Sequence, residues 1–168
     1  MKLDKFPEYD LMYTDPPWEN RMVKWFETQM RKDVGSAPKN DIDDILHKLG
    51  KLAHKGLPMF IEYQIKGSER IRDIMCLYGH EMGTPIVRLQ SNNNPFMIFP
   101  FNWAGTLPVS NGFQFVSDLI RNFDNPLVFD PFAGIGQTCR AVKKGGGDYV
   151  GYEFNPSRFQ RMIKVAGS

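Results

Sequence analysis

The chain has 168 residues, 42% of them hydrophobic, and a formal net charge of +2. That supports one sheet with flanking helices and leaves no room for a second domain of useful size. The near-neutral balance excludes a globally basic nucleic-acid binder, so any basic surface must be local. The two cysteines, Cys76 and Cys139, have neither metal spacing nor a disulfide framework, and both read as buried thiols in a reducing compartment. No apolar run reaches the ~18 residues of a membrane span, and Met1-Lys2-Leu3-Asp4-Lys5 does not resemble a signal peptide. The expected location is cytoplasmic.

Taken in chain order, the apolar pattern alternates strand and helix. Tyr9 to Tyr13 is a short buried strand that runs into Asp15-Pro16-Pro17-Trp18. Arg21 to Arg31 mixes apolar and basic positions and suits a short helix or lid, and Lys32 to Lys39, with Gly35, Ser36 and Pro38, reads as a loop. Asn40 or Asp41 caps a helix that carries Ile42, Ile45, Leu46, Leu49 and Leu52 and ends at Gly56. Pro58 to Ile65 is a strand, and Ser68 caps a helix through Ile71, Ile74, Met75 and Tyr78. Pro85 to Gln90 and Phe96 to Phe101 form a hairpin across an asparagine-rich turn. After a loop from Gly105 to Gly112 come a helix (Phe113 to Phe123), a strand (Pro126 to Phe129) and a helix (Gln137 to Lys144) closed by three glycines. A strand (Asp148 to Tyr152) and a last helix (Ser157 to Val165) complete the pattern. About six strands alternating with helices imply a mostly parallel, doubly wound α/β sheet with an antiparallel edge hairpin.

Two turns carry chemistry, and each follows a strand, where a parallel sheet places its ligands. In Asp130-Pro131-Phe132-Ala133-Gly134-Ile135-Gly136, the glycines let backbone pass close to a ligand, and the helix that follows points free N–H groups at it. A dinucleotide fold uses a similar turn, but the missing third glycine and the Asp-Pro-Phe opening favour an adenosyl cofactor. Glu153 ends the next strand about 20 residues on, where a carboxylate can accept both hydroxyls of a ribose. In Asp15-Pro16-Pro17-Trp18, the prolines remove N–H donors, so the Asp15 carboxylate and the Pro16 carbonyl offer two acceptors that suit an –NH2 group. Holding both hydrogens rotates the nitrogen lone pair out of conjugation, and Trp18 gives a flat face for a base taken out of its duplex.

These residues resemble the D-P-P-[WY] and D-P-F-x-G-x-G motifs of DNA amino-methyltransferases, in the order found in the circularly permuted beta class. The resemblance implies a Rossmann-like fold, S-adenosyl-L-methionine as methyl donor and DNA as substrate. It implies that Asp15, Pro16, Pro17 and Trp18 form the catalytic turn. By the same resemblance Asp130, Phe132, Gly134, Gly136, Thr138 and Glu153 hold the cofactor. Gln137 departs from the family pattern, which commonly has a small hydroxyl residue there; Thr138 follows it. The expected organisation is a single domain, with a catalytic half over about 1–105, a cofactor half over about 106–168 and no separate target-recognition domain. The expected activity is N6 methylation of adenine in DNA. N4-cytosine methylation, N6-adenine methylation of RNA and a non-catalytic subunit of a heteromeric enzyme are the alternatives. A homodimer or a recognition subunit is an expected partner.

Arg21, Lys24, Arg31 and Lys32, with Trp25 and Phe26 between them, suit either a loop closing over a flipped base or a solvated helix face. The turn at Asn92 to Asn94 and the loop around Trp103 suit either groove contacts or ordinary turn chemistry. His47, His54 and His80 lack the mutual spacing of metal ligands.

Overall fold

The computed structural model describes residues 5–37, 39–90 and 93–167. Six strands, β1 (Leu11–Thr14), β2 (Met59–Tyr63), β3 (Ile86–Leu89), β4 (Pro95–Phe101), β5 (Leu127–Asp130) and β6 (Asp148–Gly151), form one sheet in the order β3-β4-β2-β1-β5-β6. The β2, β1, β5 and β6 strands are mutually parallel, and β4 runs antiparallel to both β2 and β3. The mostly parallel sheet with an antiparallel hairpin at one edge is therefore the expected α/β architecture.

Period-2 alternation assigns the two faces. Met12, Met59, Ile61, Tyr63, Phe99, Phe101 and Phe129 point to one side. There they meet α2 (Ile42–Leu52) and α3 (Ser68–Leu77) through Ile42, Leu46, Leu49, Ile71 and Met75. Leu11, Tyr13, Phe60, Ile98 and Val128 point to the other and meet α4 (Gly112–Ile120) and α5 (Gln137–Gly145). The helices α4 and α5 approach closely because Gly145 has no side chain: a Cβ there would lie 2.7 Å from the Ser117 carbonyl and from Ile120. The remaining helices, α1 (Asn20–Val34) and α6 (Pro156–Ala166), pack on each other beside the strand ends.

Several boundaries differ from expectation for local reasons. The α1 helix continues through Lys32, Asp33 and Val34, because the first residue that requires the left-handed region is Gly35, at φ 77. Asp41 caps α2, accepting from the Asp44 N–H at 2.9 Å, and the helix stops at Ala53 rather than Gly56. Gly67, at φ 77, leads into α3, so Ser68 is its first residue and not its cap. Cys76 is exposed, not buried: Ile71, Ile74 and Met75 take the inward positions of α3, and Cys76 falls on the outer side. Cys139 is buried as expected. Pro38 and the Ser91-Asn92 part of the hairpin turn lie outside the described residues, whereas Asn93 adopts φ 62, as turn chemistry requires.

Candidate active site

The order of the sheet reverses at β1 and β5, because the chain passes from β1 to its neighbour β2 on one side and from β5 to β6 on the other. A crevice at such a switch point, beyond the carboxyl ends of the strands, is where open α/β sheets bind ligands. Thr14, the last residue of β1, donates from Oγ1 to Oδ1 of Asp130, the last residue of β5, at 2.9 Å. That bond ties the root of the proline turn to the root of the glycine turn, though 116 positions separate the residues.

Asp130 is fully buried and accepts further hydrogen bonds from the Phe132 N–H at 3.0 Å and the Tyr149 hydroxyl at 3.3 Å. The Thr138 side chain also bonds to it. Burial pushes its pKa up to about 6, against the lowering effect of those donors. Gly134 (φ 57) and Gly136 (φ 88) both need the left-handed region that glycine enters without strain. Gly136 starts α5 and supplies no side-chain cap, so no side chain covers the leading amides of that helix from the cap position.

On the β1 side, Pro16 and Pro17 are buried, and Trp18 lies over the ends of both cores. The Tyr63 hydroxyl and the Gln64 amide each donate to the Trp18 carbonyl at 3.0 Å, which fixes the turn. The Trp18 indole N–H in turn donates to Asp15 Oδ1 at 2.7 Å. Asp15 keeps a surface open to solvent, yet protein crowds its carboxylate. That loss of hydration, reinforced by the neighbouring Glu62 charge, holds its pKa well above the usual carboxylate range.

Three residues that the sequence reading did not single out complete the site. Glu62, next to last in β2, has its carboxylate 2.5 Å from the buried Tyr13 hydroxyl, and burial raises its pKa to about 7. Arg158, from the first turn of α6, lies against the ring of Phe26 at 4.9 Å and pairs with Glu153 at 3.3 Å. A Cβ on Gly134 would come within 2.7 Å of its guanidinium. Asn155 caps α6 and donates from its side chain to Asp33 of α1 at 2.8 Å, so α1 is latched across the site.

The expected site residues thus gather at the ends of two adjacent strands, with Glu153 on the next turn. Glu153 is engaged already: Oε1 accepts from the Asn155 N–H at 2.8 Å and Oε2 faces Arg158. A ribose would have to share that carboxylate with the arginine. In the basic segment, Arg21 pairs with Glu19 and Arg31 with Glu27. Trp25 is exposed and packs edge-on against Phe26. Trp103 is anchored against Phe60 and Phe123 rather than displayed for groove contacts. His80 and His47 are engaged with the Gly50 carbonyl and the Tyr78 hydroxyl, and His54 stacks on Tyr9.

Residues 85–164 match a protein-family model described as DNA methylase, a stretch that contains the glycine turn but not the proline turn. Comparison with curated proteins found no matching sequence. Among solved structures, the chain is similar to M1.HpyAVI (17% identity, TM-score 0.67, covering 96% of this chain and 89% of that one). The SAM complex of M1.HpyAVI is similar at 15% identity and TM-score 0.68, over 96% and 90% of the two chains. A putative DNA modification methylase from Thermus thermophilus, TTHA0409, is similar at 17% identity and TM-score 0.65, over 96% and 89%, and has also been solved with S-adenosyl-L-methionine. This likeness shows the α/β fold shared with these structures, and the family model matches 80 of the 168 residues.

Proposed function

We propose that the chain transfers a methyl group from S-adenosyl-L-methionine to the N6 amine of adenine in DNA, as an enzyme of the circularly permuted beta class. The observation that carries this reading is the Thr14–Asp130 hydrogen bond, which sets the Asp-Pro-Pro-Trp turn and the glycine turn side by side. The residues present suit the cofactor chemically. Loss of hydration raises the pKa of Asp15, Glu62 and Asp130, the Asp130 charge adds to this on Glu62 and on Asp15, the Glu62 charge adds to it on Asp15, and a ligand carrying sulfonium and ammonium charges would relieve them.

When bound, S-adenosyl-L-methionine supplies a methyl group on a positively charged sulfur. The chain's own residues do the rest. Asp130, held by Thr14, Phe132, Thr138 and Tyr149, presents fixed negative charge to the cationic end of the ligand. Gly134 and Gly136 admit its backbone-close portion, and Glu153 accepts the ribose hydroxyls. Asp15 uses Oδ1 for the Trp18 indole, which leaves Oδ2, with the Pro16 carbonyl, for the two amine hydrogens. Trp18, fixed by Tyr63 and Gln64, stacks on the base. Catalysis is then positioning and electrostatics, with no covalent intermediate on the protein.

The test is mass spectrometry of nucleosides from DNA incubated with the protein and the cofactor. N6-methyladenine is the expected product, lost in Asp15→Ala. N4-methylcytosine as the sole product would overturn the choice of base, and modification of RNA alone would overturn the choice of polymer. An unmodified polymer together with no calorimetric binding of the cofactor would overturn the whole reading.

A further inference from the structure

Arg158 is held in the site from several sides. It lies in the first turn of α6, where its backbone N–H donates to the Asn155 cap at 2.9 Å. Its guanidinium lies over the Phe26 ring of α1, 4.9 Å from the centroid. Nε donates to Glu153 Oε2 at 3.3 Å. Nη2 reaches the glycine turn: a Cβ on Gly134 would lie 2.7 Å from it, so the arginine uses the space that this glycine leaves open. One guanidinium thus spans from the expected ribose acceptor to the glycine turn, with 29% of its side chain exposed.

A guanidinium has donors on every nitrogen and no acceptor. Among the described residues, Glu153 accepts from Nε, and the Phe26 ring faces the charge without taking a hydrogen bond. The Nη nitrogens therefore stand as a donor fork beside Gly134. We propose that Arg158 binds the carboxylate at the amino-acid end of the cofactor, with Nε held by Glu153 and the Nη fork turned to the ligand. This rests on the function proposed above. Arg158 then determines which adenosyl ligands the site prefers, since a ligand without that carboxylate gains nothing from the fork.

The surroundings give this role its need. Asp15, Glu62, Asp130 and Glu153 suit the sulfonium and ammonium groups of the ligand, but each of them repels its carboxylate. Among the described residues, Arg158 is the cation whose charge reaches Asp15, whereas Arg21 and Arg31 of α1 are paired with Glu19 and Glu27. The leading amides of α5, with no side-chain cap at Gly136, add positive potential at the same turn. An arginine suits the position better than a lysine would. Its planar fork matches a carboxylate with a pair of parallel hydrogen bonds, and the aromatic ring against it keeps that plane in place.

Calorimetry on the full chain separates this role from others, with S-adenosyl-L-methionine, its decarboxylated analogue and 5′-methylthioadenosine, which lacks the amino-acid end, as probes. Arg158→Gln should weaken S-adenosyl-L-methionine about 10- to 100-fold, the range of a charged hydrogen-bonded pair, and hold both carboxylate-free probes within about threefold. Arg158→Lys keeps the charge without the fork and should weaken S-adenosyl-L-methionine less than the glutamine variant does. An equal loss on all the probes in both variants would mean that Arg158 acts only through Glu153, and overturns the assignment. Tighter binding of 5′-methylthioadenosine by Arg158→Gln would mean that the arginine merely competes with the ribose, and overturns it too, as does no change with any probe. In each of these cases, wild-type binding of S-adenosyl-L-methionine leaves the parent function standing. A wild-type chain that binds none of the probes overturns the parent function and the assignment with it.

Discussion

Asp130→Asn removes one buried charge while keeping the Oδ1 acceptor used by Thr14 and the Phe132 N–H. The folded chain holds the Asp130 proton to about pH 6, above the ordinary 3.8, so between those values it binds more protons than the unfolded chain. Stability contributed by the protonated form is complete below 3.8 and is lost as pH rises through about 6. At about 1.36 kcal/mol per pH unit, that loss is about 3 kcal/mol at full development. An asparagine does not incur it, but its amide donates toward Tyr149 and Thr138, which costs about 1 kcal/mol if neither hydroxyl turns to accept. The variant should therefore be more stable than wild type by about 2 kcal/mol at about pH 8 and slightly less stable at about pH 4. Urea unfolding followed by tryptophan fluorescence at both pH values measures this. The same protein should lose calorimetric binding of S-adenosyl-L-methionine, the opposition of stability and function expected where a site holds unfavourable charge. Parallel pH profiles for the two proteins would refute the claim that Asp130 is held protonated above its ordinary range.

Gly134→Ala places a Cβ on a residue at φ 57 and 2.7 Å from the Arg158 guanidinium. It should cost about 1–2 kcal/mol by urea unfolding and weaken cofactor binding in calorimetry. Asn155→Ala deletes the α6 cap and the bond to Asp33, so it should lower stability by about 1–2 kcal/mol and raise amide hydrogen exchange in α1. Phe129→Ala empties a fully buried position that touches Phe6, Tyr9 and Tyr152, and should cost about 3–5 kcal/mol in the same unfolding assay. Gly145→Ala forces α4 and α5 apart and should cost about 1–3 kcal/mol, with activity of the residual folded protein retained.

What was legible in the sequence was local. Short apolar runs closed by Asp-Pro or Gly located six strands to within a few residues, and Asp41 announced its helix through cap chemistry. The two ligand turns were legible for the same reason, since their prolines and glycines report backbone conformation directly. The Glu62 and Arg158 positions were not, because their meaning comes from register and from a helix crossing. Glu62 reads as the polar position of an alternating strand until β2 is aligned with β1. Arg158 reads as a surface residue of an amphipathic helix until α6 packs against α1. A signal for Glu62 did exist: an acid one residue before the end of a buried strand is unusual enough to ask what stands beside it.

The arrangement of charge explains why these strand ends point to chemistry and not to packing. Folding alone would place apolar or neutral side chains at the carboxyl ends of three adjacent parallel strands, because a carboxylate crowded by protein there loses hydration. Here Glu62, Asp15 and Asp130 occupy β2, β1 and β5 at that level, and every one is shifted in the direction that opposes its charge. Among the described residues, the arginine within reach, Arg158, is divided between Glu153, the Phe26 ring and Asp15. A row of acids with too little resident counter-charge costs stability, and on the proposed function a cationic ligand at the switch point would supply the missing charge.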